Sequence, residues 1–190
     1  MKRYLIILPI LLTLTVCRSV KAQQDTSKLT ILEYGFPPGN DYLNARATVS
    51  NKWSIQFNSV ADCIVPDQLI DSVKNHNEKT YSKIIDKYGK NWETHFGKEV
   101  ERELLVQKKA RKLIDNEPYI AKLDSTLGTE GNGLHYYLTP QYRATYSAIV
   151  FGWGDWNGKT ELVTYYKLTI EINKGIVRVD SDKIELFEFQ

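Results

Sequence analysis

The clearest pattern in the chain lies near its C-terminus. There Leu162, Thr164, Tyr166, Leu168, Ile170 and Ile172 alternate with Glu161, Val163, Tyr165, Lys167, Thr169 and Glu171. A period of two predicts a long strand with one apolar face and one mostly polar face. Asn157-Gly158, just before it, is the dipeptide favoured in two-residue hairpin turns, so this strand is expected to pair antiparallel with residues 143–153. Turn residues at Asn173-Lys174-Gly175 and Asp180-Ser181-Asp182 lead to two more strands, over 176–179 and 184–189.

The middle of the chain has the helical period instead. Ile70, Val73, Asn77, Tyr81, Ile84 and Tyr88 recur every three or four residues between Pro66-Asp67 and Gly89, predicting a helix over 67–88. Trp92, Phe96, Val100, Leu104 and Leu113-Ile114 form a similar stripe with Glu93 early and Lys108, Lys109, Arg111 and Lys112 late, the order the helix dipole favours. This second helix ends before Pro118, and a third, short one is expected over 118–127 with Gly128 past its end.

Between the start of the chain and these helices, residues 29–34 read as a strand broken by Gly35-Phe36-Pro37-Pro38-Gly39. A helix over 41–52 would turn Leu43, Ala47 and Ser50 inward. Trp53, Ile55 and Phe57 alternate with polar residues as in a half-buried strand, and a further strand runs through 63–65 to Pro66. A sheet with one apolar face must be covered, and the helices between residues 67 and 127 are the available cover. The expected fold is therefore α+β in two layers: a C-terminal antiparallel meander covered by amphipathic helices from the middle of the chain. No repeat or long linker divides residues 23–190, which are read as one domain.

The first 22 residues read differently. Lys2 and Arg3 precede an apolar run over 4–16, too short for the roughly 20 residues of a spanning helix, and Val20-Lys21-Ala22 offers a peptidase site before the polar run that starts at Gln23. This is a secretion signal, with the mature chain expected to begin at Gln23 and to lie in the periplasm or outside the cell. The competing reading takes Leu14-Thr15-Val16-Cys17 as a lipobox, with Cys17 acylated as the anchor of a lipoprotein. Val16 counts against it, because that position ordinarily holds a small residue.

Removing the signal changes the charge. It takes away Lys2, Arg3, Arg18 and Lys21 and no acid, so 25 basic residues become 21 against 23 acidic ones, and the formal charge moves from +2 to −2. A nearly neutral domain without a basic cluster gives no electrostatic reason to bind nucleic acid. Cys63 is left as the one mature thiol in either reading, so no intrachain disulfide is expected, and its apolar neighbours make it a small buried hydrophobe rather than a nucleophile.

Motifs for chemistry are sparse. The three histidines fall in no metal-ligand pattern, although His76 with Glu78 and His95 with Glu99 stand at helical positions from which a site could be assembled. There is no nucleophile elbow or dinucleotide fingerprint, and the glycine-rich run Gly128–Gly133 lacks the lysine and following helix of a phosphate cradle. No cofactor is expected. Glu171, Glu185 and Glu188 are strand carboxylates with nothing in their spacing to mark them as an acid–base pair.

The most unusual stretch is Phe151-Gly152-Trp153-Gly154-Asp155-Trp156-Asn157-Gly158, two tryptophans around a hairpin tip, with Tyr165 and Tyr166 on the returning strand. Tryptophan and tyrosine give large contact area at low entropic cost. Trp153, Trp156 and Tyr165 are accordingly the candidate contact residues for a protein partner or a glycan. The structural alternative folds one tryptophan back on the sheet and pairs the tyrosines across strands.

Three segments, Lys52-Trp53-Ser54-Ile55-Gln56-Phe57, Ala61-Asp62-Cys63-Ile64-Val65 and Lys87-Tyr88-Gly89-Lys90-Asn91-Trp92, resemble the small exported bacterial proteins described as FEKKY-domain proteins. The likeness covers the middle third of the chain. It implies a bacterial envelope location and nothing catalytic. Together these features predict a non-catalytic binding domain, against which stand a small periplasmic hydrolase whose site assembles only in space and a structural envelope protein tethered at Cys17.

Overall fold

The computed structural model describes residues 28–62, 64–128 and 133–188. The signal segment with Cys17, the thiol Cys63, most of the glycine-rich run and the last residues of the strand expected over 184–189 lie outside the described residues. The fold is α+β, and no helix among the described residues is long and apolar enough to cross a membrane.

The chain opens with a parallel unit: β1 (Leu29–Tyr34), α1 (Asn40–Trp53) and β2 (Ile55–Ala61). Two expectations fail here. Trp53 belongs to the helix, which stops one residue later because Ser54 takes a left-handed conformation (φ 52°) that no α-helix can continue through. The strand expected over 63–65 is also missing: β2 ends at Ala61 and Ile64 and Val65 are irregular, Ile64 being 90% exposed before the Pro66 that starts the next helix. Within α1 the inward residues are Ala45, Val49 and Ser50, while Leu43 is only partly buried and Ala47 is exposed. The helix is rotated from the predicted face because it must serve β1–β2 and the long third helix together.

The next two helices have the expected bounds, α2 (Asp67–Tyr88) and α3 (Trp92–Asp115), followed by α4 (Pro118–Gly128); in the stripe of α2, Ile70 is exposed and Thr80 is buried instead. A helix rises about 1.5 Å per residue, so α3, with 24 residues, is long enough to serve two cores. Its first half brings Trp92, Phe96 and Val100 to Ile31, Ala45, Val49, Ile55 and Ile84. Its second half brings Ala110 and Ile114 to Ile120 and Leu127 of α4 and to the C-terminal sheet. The cover of that sheet is thus α4 and half of α3, while α2 packs on β1.

The C-terminal sheet has the order β3 (His135–Pro140), β4 (Thr145–Trp156), β5 (Lys159–Glu171), β6 (Ile176–Ser181), with β7 (Glu185–Leu186) also on β5. β4 and β5 form the expected hairpin. Trp156 is opposite Lys159, and the two-residue turn between them has Asn157 and Gly158 both left-handed (φ 55° and 78°), the geometry that favoured this dipeptide. Arg143 is not in the strand. With Ala144 it forms a second tight turn, both residues left-handed, that joins β3 to β4.

The predicted alternation of β5 is interrupted. Val150 is opposite Tyr166 but Phe151 is opposite Thr164, so Tyr165 is an extra residue, a β-bulge. Past the bulge the phase of the strand reverses. Val163, expected on the polar face, is 1% exposed in line with Val150 and Gly152, whereas Leu162 and Thr164 turn to the other side with Phe151 and Trp153.

Candidate functional site

Residues opposite each other in the ladder share a face, and successive residues alternate. Tyr146, Ala148 and Val150 of β4 lie with Leu138 of β3 and Leu168 and Ile170 of β5 against the helices, all buried. The opposite face carries Ile149, Phe151 and Trp153 of β4, His135 and Tyr137 of β3 and Leu162 of β5. That second face is aromatic toward the β4–β5 tip and polar at its other end, where Lys167 pairs with Glu185.

The aromatic half borders a cavity of about 460 Å³. Its floor is a row of rings from β3, β4 and the segment after β7. Phe151 and Phe187 stack with centroids 3.9 Å apart and planes at 6°, and His135 packs on Phe151 at 5.5 Å. The main chain holds Phe187 there, its N–H donating to the Leu162 carbonyl at 2.9 Å. Trp153 lines the same cavity and is 43% exposed.

The far wall comes from the start of α1 and from α3. Asn44 Nδ2 donates to the Tyr136 carbonyl at 3.1 Å, fixing α1 to the edge of β3. Arg111 donates to Asp41 at 3.0 Å and lies over the Tyr136 ring at 4.9 Å, and the Tyr136 hydroxyl donates to Asp115 at 2.7 Å. Burial, and then this bond to a carboxylate, hold the Tyr136 phenol well above its ordinary pKa, so it stays protonated as a donor. The cavity therefore combines a flat apolar floor with a rim of amide, carboxylate and guanidinium groups, a mixture typical of small-ligand sites, which measure roughly 300–1,000 Å³.

The three aromatic residues singled out from the sequence do not converge. Trp153 is on the cavity side. Trp156 has the opposite parity on β4 and faces the other way at the tip. Tyr165, the bulge residue, lies across Gly154 and donates its hydroxyl to the Trp153 carbonyl at 3.2 Å, on the side away from the cavity. His135, Phe187, Asp41 and Arg111 went unrecognised, because they come from four separate elements and only Phe151 sat in a conspicuous local run.

The other chemical candidates have structural partners. His76 Nε2 is 2.9 Å from the Thr30 carbonyl, and Glu99 accepts from Lys52 and from the Trp53 indole. Among the described residues no group of three His, Cys, Asp or Glu side chains stands close enough to hold a metal, and His95 and Glu78 are exposed on their helices. Glu171 lies between Lys174 and Arg178, and Glu185 meets Lys167; in each case the hydrogen bond from the lysine holds the carboxyl below its usual pKa, the reverse of what a general acid needs. Glu188 lines the cavity.

Two of the three segments that carried the family resemblance, those around Trp53 and around Tyr88-Trp92, meet in the first core. Trp53 packs on Tyr88 and Phe96, the Tyr88 hydroxyl donates to the Trp53 carbonyl, and Trp92 packs on Tyr81 and Phe96. None of their residues lines the aromatic cavity. No protein-family model, curated protein or solved structure matches the chain.

Proposed function

We propose that this is an exported protein of the bacterial envelope that works by binding a partner, and that the aromatic cavity on the outer sheet face is its contact surface. One observation carries the reading: Trp153 is 43% exposed although it sits beside stacked Phe151 and Phe187, on the sheet face opposite the one packed against α3 and α4. An apolar floor of that kind gains free energy when a ligand excludes water from it. Export rests on the charged-then-apolar start of the sequence, with the lipid-tethered alternative at Cys17.

A protein partner fits through an inserted apolar side chain. A glycan is the second reading, favoured by Asn40, Asp41 and Asn44 beside the rings, since amides and carboxylates bond sugar hydroxyls while rings take the C–H face. A small hydrolase is the alternative from another class and would have to use His135 with Asp41 or Glu188.

Separate Trp153→Ala and Trp156→Ala variants test the surface, because the two tryptophans face opposite ways. In capture experiments from envelope extract the Trp153 variant should lose the partner and the Trp156 variant should keep it, both with unchanged circular dichroism. Loss on Trp156→Ala alone, or on neither, would remove the cavity from the interaction. Tryptophan fluorescence titrated with neutral oligosaccharides separates the glycan reading from the protein one.

A further inference from the structure

Of the two edges of the parallel β1–β2 pair, one is closed and one is open. Asn77 of α2 lies along β1, its Oδ1 accepting from the Leu32 N–H and its Nδ2 donating to the Leu32 carbonyl, both at 2.9 Å. His76 adds a contact to the Thr30 carbonyl at 2.9 Å. Two side chains thus imitate a neighbouring strand. On β2 there is no such device: among the described residues, nothing outside β1 hydrogen-bonds the main chain of residues 55–59.

The direction of the open groups follows from one bond. The Ser54 carbonyl accepts from the Leu29 N–H at 2.9 Å and so points to β1. Main-chain groups alternate sides along a strand, which turns those of Ile55, Phe57 and Ser59 outward. β2 has no charged residue, proline or glycine, the usual guards of an exposed edge. Its one irregularity is the extra residue Val60, near its end.

A groove of about 360 Å³ runs between this edge and Leu43, Ala47 and Ser50 of α1. Ser50 is 7% exposed, lines the groove, and its hydroxyl has no partner among the described residues. A buried hydroxyl without a bond is costly, but this one has no exposed surface, so it is not a contact for a segment laid in the groove. The charged residues of the groove are Lys28 and Arg46, with no acid. Arg46 is paired with Glu33, but among the described residues Lys28 is held only by the neutral Asn51.

We propose that the outer edge of β2 is a strand-addition site for an extended segment of a partner polypeptide that carries an acidic residue opposite Lys28. A second copy of this chain fits less well. Five regular residues at about 3.3 Å each make a short ladder, and an uncharged β2 would leave Lys28 uncompensated. The site is independent of the aromatic cavity, although Leu43 and Asn44 line both.

The test uses the purified protein and displayed short peptides in which apolar residues alternate with randomised polar ones. Selected peptides should be rich in β-branched residues with an aspartate or glutamate toward one end. On binding, amide exchange should slow at Ile55, Phe57 and Ser59 and stay unchanged at Gln56 and Asn58, which already face β1. Ser59→Pro removes an outward N–H at an exposed position and should weaken binding about tenfold, the equivalent of one lost hydrogen bond with its desolvation, at an unchanged melting temperature. Should that variant not fold, the exchange pattern of the wild type decides. No enrichment, selection of basic peptides, binding indifferent to Ser59→Pro, or sedimentation as a dimer that Ser59→Pro dissolves would each overturn the proposal.

Discussion

Gly154→Ala measures how the bulge is held. A Cβ at Gly154 would overlap the Tyr165 hydroxyl and stand 3.0 Å from Val163 Cγ2 and 3.2 Å from Tyr165 Cζ. Val163 is buried and cannot retreat, so the tyrosine ring must swing out and release its bond to the Trp153 carbonyl. Crowding of this kind costs about 1–3 kcal/mol, and replacing glycine by alanine restricts the unfolded chain and returns about 0.4–1 kcal/mol, leaving a net loss of about 1–2 kcal/mol. Urea unfolding followed by tryptophan fluorescence reads it as a lower midpoint at constant slope. The decisive arm is a double-mutant cycle with Tyr165→Ala. With the ring gone only the 3.0 Å approach to Val163 Cγ2 remains, so Gly154→Ala should cost clearly less than in the wild-type background and the two changes should be non-additive. Equal cost in both backgrounds would mean that Gly154 answers to something other than the tyrosine laid across it.

Ala144, at φ 31° in the β3–β4 turn, adopts a left-handed conformation that costs an L-residue about 1–2 kcal/mol, so Ala144→Gly should stabilise by about 0.5–1 kcal/mol after the glycine entropy is counted; a lower urea midpoint would contradict the turn geometry. Asn77→Ala strips both bonds from Leu32 and should cost about 1–3 kcal/mol in the same assay, and light scattering should show new association through the bared β1 edge. Tyr146 is buried and donates to Glu103 at 2.9 Å, which raises its pKa above the ordinary 10.0. A raised folded-state pKa gives stability that is complete below 10.0 and falls as the pH climbs beyond it. Tyr146→Phe should therefore flatten the alkaline loss of stability, and parallel slopes for variant and wild type would refute the assignment.

Long amphipathic elements were readable because their signal is repeated many times. α2 and α3 each present a stripe over several turns, and the Asn157-Gly158 turn has a steric reason tied to two residues. What depended on one residue was not readable. Ser54 ends α1 by a single left-handed φ, and Ile64 and Val65, though apolar, pair with no strand among the described residues. The face of α1 was misjudged since α1 touches three elements, and an inward face set by Ala45 and Val49 looks weak beside the larger Leu43. The cavity was least readable of all, being built from parts of β3, β4, β5, α1 and α3 and from two residues beyond β7, Phe187 and Glu188. Only its Trp153 and Phe151 stood in a run that drew notice.

The bulge at Tyr165 connects the misread pattern to the site. Read with a strict period of two, Leu162 and Val163 go to the core and to solvent, respectively; inserting one unpaired residue exchanges them. Val163 is then buried opposite Gly152, and Leu162 joins Trp153 opposite it in the ladder. The same exchange requires Tyr165 to lie somewhere, and Gly154 is the position on the adjoining strand without a side chain to obstruct it. The two glycines around Trp153 are thus explained by packing on the helix side. Gly152 meets the Gly133 carbonyl within 3.1 Å of where a Cβ would stand, and Gly154 meets the tyrosine. Trp153, between them, points away from both. Its exposure is the remainder of a strand whose neighbouring positions are committed to the core, and so Trp153 is the residue of the hairpin on which a binding role can be tested without disturbing the fold.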